Sequence, residues 1–130
     1  MAHPNEEVLR AAYAAFAQGD LNGYLQHCTD SITFRVPGKG KIAGTYKRSE
    51  FFSPWISDVM EFTNGSFRET VNGVVANYQR GVVLATHEFD RNGRTFKYDT
   101  AHIYRIKDGK LDSFEEYPAD LYYFDEAWGS

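Results

Sequence analysis

Four extended runs, Ser66 to Ala76, Gly81 to Asp90, Arg94 to Lys107 and Lys110 to Tyr117, follow one another with only the strings NYQRG, RNG and KDG between them. Those connections are turns, far too short for the crossover that parallel neighbours need, so the second half of the chain has to form an antiparallel meander. An earlier strand is written in SITFRVP, residues 31–37, where Ile32, Phe34 and Val36 alternate with Ser31, Thr33 and Arg35. That period of two describes a strand with one buried face.

The first thirty residues have a different period. Pro4 and the acidic pair Glu6-Glu7 suit a helix start, and Leu9, Tyr13 and Phe16 recur at spacings of four and three. Gly19 ends this helix, and Asp20 can cap a shorter one in which Leu21, Tyr24, Leu25 and Cys28 share a face. GKGKIAG breaks regular structure. From Thr45 to Phe62 the apolar positions Phe52, Trp55, Ile56, Val59 and Met60 repeat helically, and Ser53-Pro54 either kinks one helix or starts another. In the tail, Asp120 can cap one further turn. Helices first and a curved antiparallel sheet afterwards predict an α+β fold, a single domain over residues 1–130 in which the helices cover one face of a cone-shaped sheet and enclose a pocket.

Composition narrows the function. The chain of 130 residues carries a net charge of −4, so its field repels phosphate backbones and disfavours nucleic acid. No run approaches the roughly 20 apolar residues of a membrane span, and the start lacks the apolar core of a signal peptide. A single cysteine, Cys28, rules out an internal disulfide and fits a reducing, cytoplasmic location; its setting suits a small buried thiol better than a nucleophile. Nine Tyr and ten Phe suit a cavity lined by flat rings with polar tips.

The strings AFAQGDLNGYLQHCTDSITFRVPG, IAGTYKRSEFF and DGKLDSFEEYPADLYYFDEAW, in that order and with that spacing, resemble the nuclear transport factor 2-like superfamily in its SnoaL-like branch. The resemblance implies a cone-shaped fold, homodimers packed through the sheet, and a pocket used for isomerisation, cyclisation, dehydration or epoxide opening. Residue by residue the transfer is mostly negative. Ketosteroid isomerases carry a catalytic aspartate before the proline that ends the first strand, where this chain has Val36. Their oxyanion-hole tyrosine falls close to Tyr13, and their second acid close to His102. Limonene epoxide hydrolases use an arginine, an aspartate and a second aspartate at positions that align with Val83, Ala85 and Glu116, so only the last carboxylate remains.

Strand register brings a set of candidate side chains to one face. A two-residue Asn92-Gly93 turn sets His87 opposite Tyr98, Ala85 opposite Thr100 and Val83 opposite His102, and strand alternation sends His87, Tyr98, Thr100, His102 and Tyr104 to one face. His87 then stands four residues along the strand from His102, about 13 Å at roughly 3.3 Å per residue, which excludes a shared metal ion and places His87 at the rim. A three-residue Lys107-Asp108-Gly109 turn, preferred for its glycine, sets Phe114 opposite His102 and Glu116 opposite Thr100, diagonal to the histidine. The expectation is a cofactor-free acid/base enzyme of isomerase, cyclase or dehydratase type acting on a small apolar or aromatic molecule. His102 is the acid/base, Glu116 its orienting carboxylate and Tyr13 a hydrogen-bond donor, while Trp55, His87, Tyr98, Thr100, Tyr104 and Phe114 contact the substrate. No metal is expected. The alternatives are a non-catalytic binding module with the same cavity and a dimerisation domain whose cone is filled.

Overall fold

The computed structural model describes residues 2–129. Helix α1 (Pro4–Ala17) starts on a His3 cap whose imidazole accepts from the Asn5 amide, while Glu6 reaches back to the His3 amide. This is the reciprocal capping arrangement that satisfies otherwise orphaned amides. Helix α2 (Leu21–Leu25) is capped by Asp20 and delivers the chain into β1 (Cys28–Val36). Strand β2 (Gly44–Lys47) returns antiparallel to β1. The meander then runs through β3 (Arg68–Ala76), β4 (Arg80–Arg91), β5 (Arg94–Lys107) and β6 (Lys110–Pro118), and helix α4 (Leu121–Ala127) closes the chain. The six strands form one mixed sheet in the order β2-β1-β6-β5-β4-β3, with β1 and β6 parallel and every other pair antiparallel. The α+β expectation is met.

The region 45–62 departs from a single helix. Gly44–Lys47 is strand, followed by a tight turn at Arg48–Glu50, a wider helical turn at Phe51–Ile56 and helix α3 (Ser57–Phe62). Ser53 is extended, at φ −149° and ψ 126°, because a residue before proline is pushed out of the helical region. The break rotates the apolar stripe, so Phe51, Trp55, Ile56 and Val59 are buried whereas Phe52 and Met60 face outward.

Both hairpins flanking β5 close through two-residue turns with two left-handed residues, Asn92-Gly93 and Asp108-Gly109. The second corrects the three-residue reading of 107–109. A bulge does appear, but further along: Ile106 pairs with Leu111 and Arg105 with Ser113, which leaves Asp112 unpaired on β6. Strand β3 carries a matching irregularity, since Val71 pairs with Ala85 but Gly73 with Leu84, which leaves Asn72 unpaired. Each extra residue reverses which alternate side chains point inward from there on.

Helix α1 crosses the concave face and buries Leu9, Ala12 and Tyr13 against it. At the far end, Phe124, Ala127 and Trp128 plug the cone; Arg91 donates to the carbonyls of Ala127 and Glu126, and the Lys41 amide donates to the Trp128 carbonyl. Among the described residues no helix is long and apolar enough to cross a membrane. Helix α1 approaches β4 so closely that a Cβ on Gly81 would lie 2.6 Å from Leu9 Cδ1 and 3.1 Å from Ile106 Cδ1. Gly81→Ala is therefore expected to lower stability by about 1–3 kcal/mol in denaturant unfolding, as overpacking commonly does.

Candidate functional site

Three rows of inward side chains cross the concave face. Glu69, His87 and Tyr98 lie abreast on β3, β4 and β5; Val71, Ala85, Thr100 and Pro118 form the next row; Val83, His102 and Glu116 the third. The middle row is small. Long side chains from the outer rows lean over it and meet, so the rings of His87 and His102 have centroids 5.2 Å apart. The expected separation of about 13 Å describes the backbone correctly but not the rings. His87 is also buried rather than at the rim, only 4% exposed.

The four polar side chains form a closed alternation of acid and base. His87 Nε2–H donates to Glu69 Oε2 at 2.7 Å, and His87 Nδ1 stands 3.5 Å from Glu116 Oε2. Glu116 Oε2 is in turn 3.5 Å from His102 Nε2, and His102 Nδ1 is 4.0 Å from Glu69 Oε2. Each imidazole thus has one carboxylate beside each nitrogen. Glu116 lies directly opposite His102 rather than diagonal to it, because the Asp112 bulge turns Phe114 and Glu116 inward. Thr100 does not line the cavity; its hydroxyl donates to Glu116 Oε2 at 3.0 Å and fixes that carboxylate. Glu69 had no place among the expected residues.

A chain of phenols reaches the same imidazole. Tyr24 and Tyr104 hydroxyls are 2.8 Å apart, Tyr104 and Tyr13 are 2.6 Å apart, and Tyr13 lies 2.6 Å from His102 Nδ1. Burial raises the pKa of all three well above the usual phenol value, so each carries one hydrogen. Run from Tyr24 to Tyr104 to Tyr13 to Nδ1, every phenol hydrogen has an acceptor; run the other way, the Tyr24 hydrogen is left over. The neutral His102 therefore carries its proton on Nε2. On the other side, Trp128 Nε1–H donates to the Tyr98 hydroxyl at 2.9 Å, and that hydroxyl donates to the neutral form of His87 at Nδ1, 3.1 Å away.

These groups form the polar end of a cavity of about 60 Å³, several times the roughly 10–15 Å³ that one water requires. Phe51, Trp55, Ile56, Val59 and Phe114 supply its apolar walls, and Tyr13, Glu69, His87, Tyr98, His102 and Glu116 its polar end. The cone is not filled. Among the described residues two buried side-chain polar atoms have no hydrogen-bond partner, Trp55 Nε1 and His102 Nε2, and both residues line this cavity. Cys28 lies outside it, and burial pushes its thiol up to about 12, which removes it as a nucleophile.

Burial opposes charge on the acids, yet hydrogen bonding and charge from His87, with His102 behind, hold Glu69 below the ordinary carboxylate value. Glu116 is lowered against the same burial penalty by His102, His87 and Thr100. For His87 burial favours the neutral ring, but Glu69 and Glu116 outweigh it and the pKa is raised. One ligand atom from each of Glu69, His87 and His102 lies within 4.8 Å of the other two, so a shared ion is not excluded by distance.

A lowered carboxylate stabilises the fold above its unfolded value, 4.5, and that contribution is lost as pH falls through the folded value; raised His87 contributes fully below 6.5 and is lost as pH rises through its folded value. In buffer free of divalent cations, the melting temperature should peak between about pH 4.5 and 6.5. Glu69→Gln should flatten both limbs. A melting temperature that climbs steadily above pH 6.5 would contradict this assignment.

The profile of the SnoaL-like domain family matches residues 9–114. An uncharacterized protein of Mycobacterium tuberculosis is 26% identical over 116 residues, 88% of each chain. Among solved structures, Bal32a from a soil-derived mobile gene cassette superposes with a TM-score of 0.88 at 26% identity over 98% of both chains. TerC, co-crystallized with polyporic acid, superposes at 0.84 with 26% identity over 98% of this chain and all of its own. An NTF2-like protein of Burkholderia pseudomallei, at 0.85 and 22% identity over 98% and 99% of the two chains, shares the fold.

Proposed function

Since the chain belongs to the SnoaL-like domain family of NTF2-like folds, we propose that it binds a small, largely aromatic molecule in its cone and moves a proton on it, as isomerases, cyclases and dehydratases do. The observation that carries this reading is His102 Nε2, buried among cavity-lining residues and without a hydrogen-bond partner. A donor buried in this way costs free energy until something accepts from it. The aromatic walls favour a flat apolar body, and Trp55 Nε1–H offers a second donor. TerC, with polyporic acid in its crystal, supplies the first compound to try.

His102 acts as the acid/base. As imidazolium it gives Nδ1–H to Tyr13 and Nε2–H to the bound molecule, and Glu116 keeps the ring aimed. When Nε2 passes its proton to the bound molecule, the ring is left neutral with its hydrogen on Nδ1, still donated to Tyr13, and Nε2 is then the base that takes a proton back, with no heavy atom moving. The chemistry needs only this chain's own groups.

Thermal-shift and tryptophan-fluorescence screening, with polyporic acid as the first probe, should reveal ligands that raise the melting temperature and quench Trp55. On a turned-over hit, His102→Gln should cost about 10²–10⁴-fold in kcat while the ligand still binds. Full turnover by that variant would remove His102 from the chemistry, and tight binding with no turnover by the natural chain would leave a binding module.

A second copy of the chain is proposed to cover the outer face of the sheet. Leu84, Ala101 and Tyr117 lie in one row across it, beside Val75, and Val75, Leu84 and Tyr117 are at least half exposed in the single chain. Sedimentation should give a dimer that Leu84→Glu dissociates without unfolding.

A further inference from the structure

We propose that the polar end of the cavity is also a divalent-metal site, with Glu69 Oε2, His87 Nε2 and His102 Nδ1 as ligands and Glu116 as the carboxylate that orients both imidazoles. Two imidazoles and one carboxylate are a donor set for a first-row ion of borderline hardness, Zn²⁺ first among those readily available.

Two independent features support this. The first is convergence: Glu69 Oε2 lies 2.7 Å from His87 Nε2 and 4.0 Å from His102 Nδ1, and one ligand atom from each of the three residues falls within 4.8 Å of the others. Atoms about 2.1 Å from one tetrahedral ion stand about 3.4 Å apart, so a pair at the 4.8 Å limit has to close by roughly 1.4 Å and the 2.7 Å pair to open by about 0.7 Å, movements within side-chain torsions. The second is the role of Glu116. Its Oε2 is 3.5 Å from His87 Nδ1 and 3.5 Å from His102 Nε2, the two nitrogens that face away from Glu69. A histidine that binds a metal through one nitrogen regularly gives the other N–H to a carboxylate, and here one carboxylate is placed to receive both. His102 Nε2 has no hydrogen-bond partner, and Glu116 Oε2 is the carboxylate oxygen 3.5 Å from it.

Loading has a chemical consequence. The ion takes the Nδ1 lone pair that Tyr13 now occupies at 2.6 Å, which leaves Tyr13 to Tyr104 and uncouples the phenol chain from the imidazole. A loaded site therefore cannot run the proton exchange proposed above. The metal proposal does not rest on that exchange.

The experiment uses the chelator-stripped whole chain without any organic ligand, so that its outcome is separate from substrate chemistry. Zn²⁺ is titrated by calorimetry and Co²⁺ by visible absorption. One ion per chain is expected, with a Co²⁺ band of nitrogen and oxygen ligation. Glu69→Gln and His87→Gln should each weaken affinity by two orders of magnitude or more, and Glu116→Gln by about 10–100-fold with stoichiometry intact. Replacing His3 and His27 together should change nothing. Should Glu69→Gln or His87→Gln fail to fold, imidazole ¹⁵N resonances of the natural chain serve instead: Zn²⁺ should shift His87 and His102 and leave His3 and His27 in place. No uptake at millimolar metal, or unchanged affinity in Glu69→Gln, or shifts confined to His3 and His27, would overturn the proposal.

Discussion

The cavity's chemistry depends on two unpaired residues that touch no part of it. In an uninterrupted antiparallel ladder, β3 would turn its even-numbered residues inward opposite β4, and Glu69 would face outward. Asn72 breaks that alternation, and Glu69 pairs with His87 on the concave face. Asp112 does the same for β6, whose turn pairs Lys107 with Lys110 and would otherwise bring Ser113 and Glu115 inward instead of Phe114 and Glu116. Strand periodicity of two makes each insertion an all-or-none change of face. Both carboxylates of the polar end owe their burial to one extra residue apiece.

The long hairpin was legible because nothing interrupts it. Asn92 and Gly93 adopt the left-handed conformations their sequence favours, and β4 pairs with β5 from Arg91–Arg94 to Arg80–Arg105 without a slip. His87, Tyr98, Thr100, His102 and Tyr104 accordingly all face the interior. Bulges were harder to place. Lys-Asp-Gly suggested an extra residue at the turn, but the turn itself is tight and the bulge sits at Asp112; Glu116 reaches the expected face by a different route, and lies across from His102 rather than Thr100. The inward face of Glu69 follows from strand alternation only once the Asn72 bulge is placed. An Asn-Gly pair inside a strand run was the one available signal. The distance between the two histidines failed for a different reason: residue counting measures the backbone, whereas Ala85 and Thr100 between the rings are small enough to let them meet.

Burying four ionisable side chains beside aromatic walls is not an economical way to stabilise a domain. A well-packed apolar set of similar volume is often as stable or more so, while a lone survivor of such a cluster is costly. The cost is offset only in part: each imidazole has a carboxylate beside each nitrogen, Thr100 holds one carboxylate and Trp128 through Tyr98 braces His87, while His102 Nε2 has no hydrogen-bond partner. The aromatic excess follows from the same need. Tyr13, Tyr24 and Tyr104 each supply an apolar body to the core and a hydroxyl to the chain ending at His102, which an aliphatic core could not do.

The alternation of acids and bases also makes the two sides of the cluster interdependent. Glu69 addresses His87 Nε2 and His102 Nδ1, whereas Glu116 addresses the opposite nitrogen of each ring. Whatever occupies the Glu69 side, a proton or a metal ion, decides which hydrogens the imidazoles can offer to Glu116 and to the cavity. A ligand oxygen accepting from His102 Nε2 likewise competes with Glu116 for that hydrogen and alters how firmly the ring is held on the Tyr13 side. Substitutions at Glu69 and Glu116 should therefore couple energetically although the two residues stand on strands at opposite flanks of the β4–β5 hairpin, because the two rings between them are the shared element.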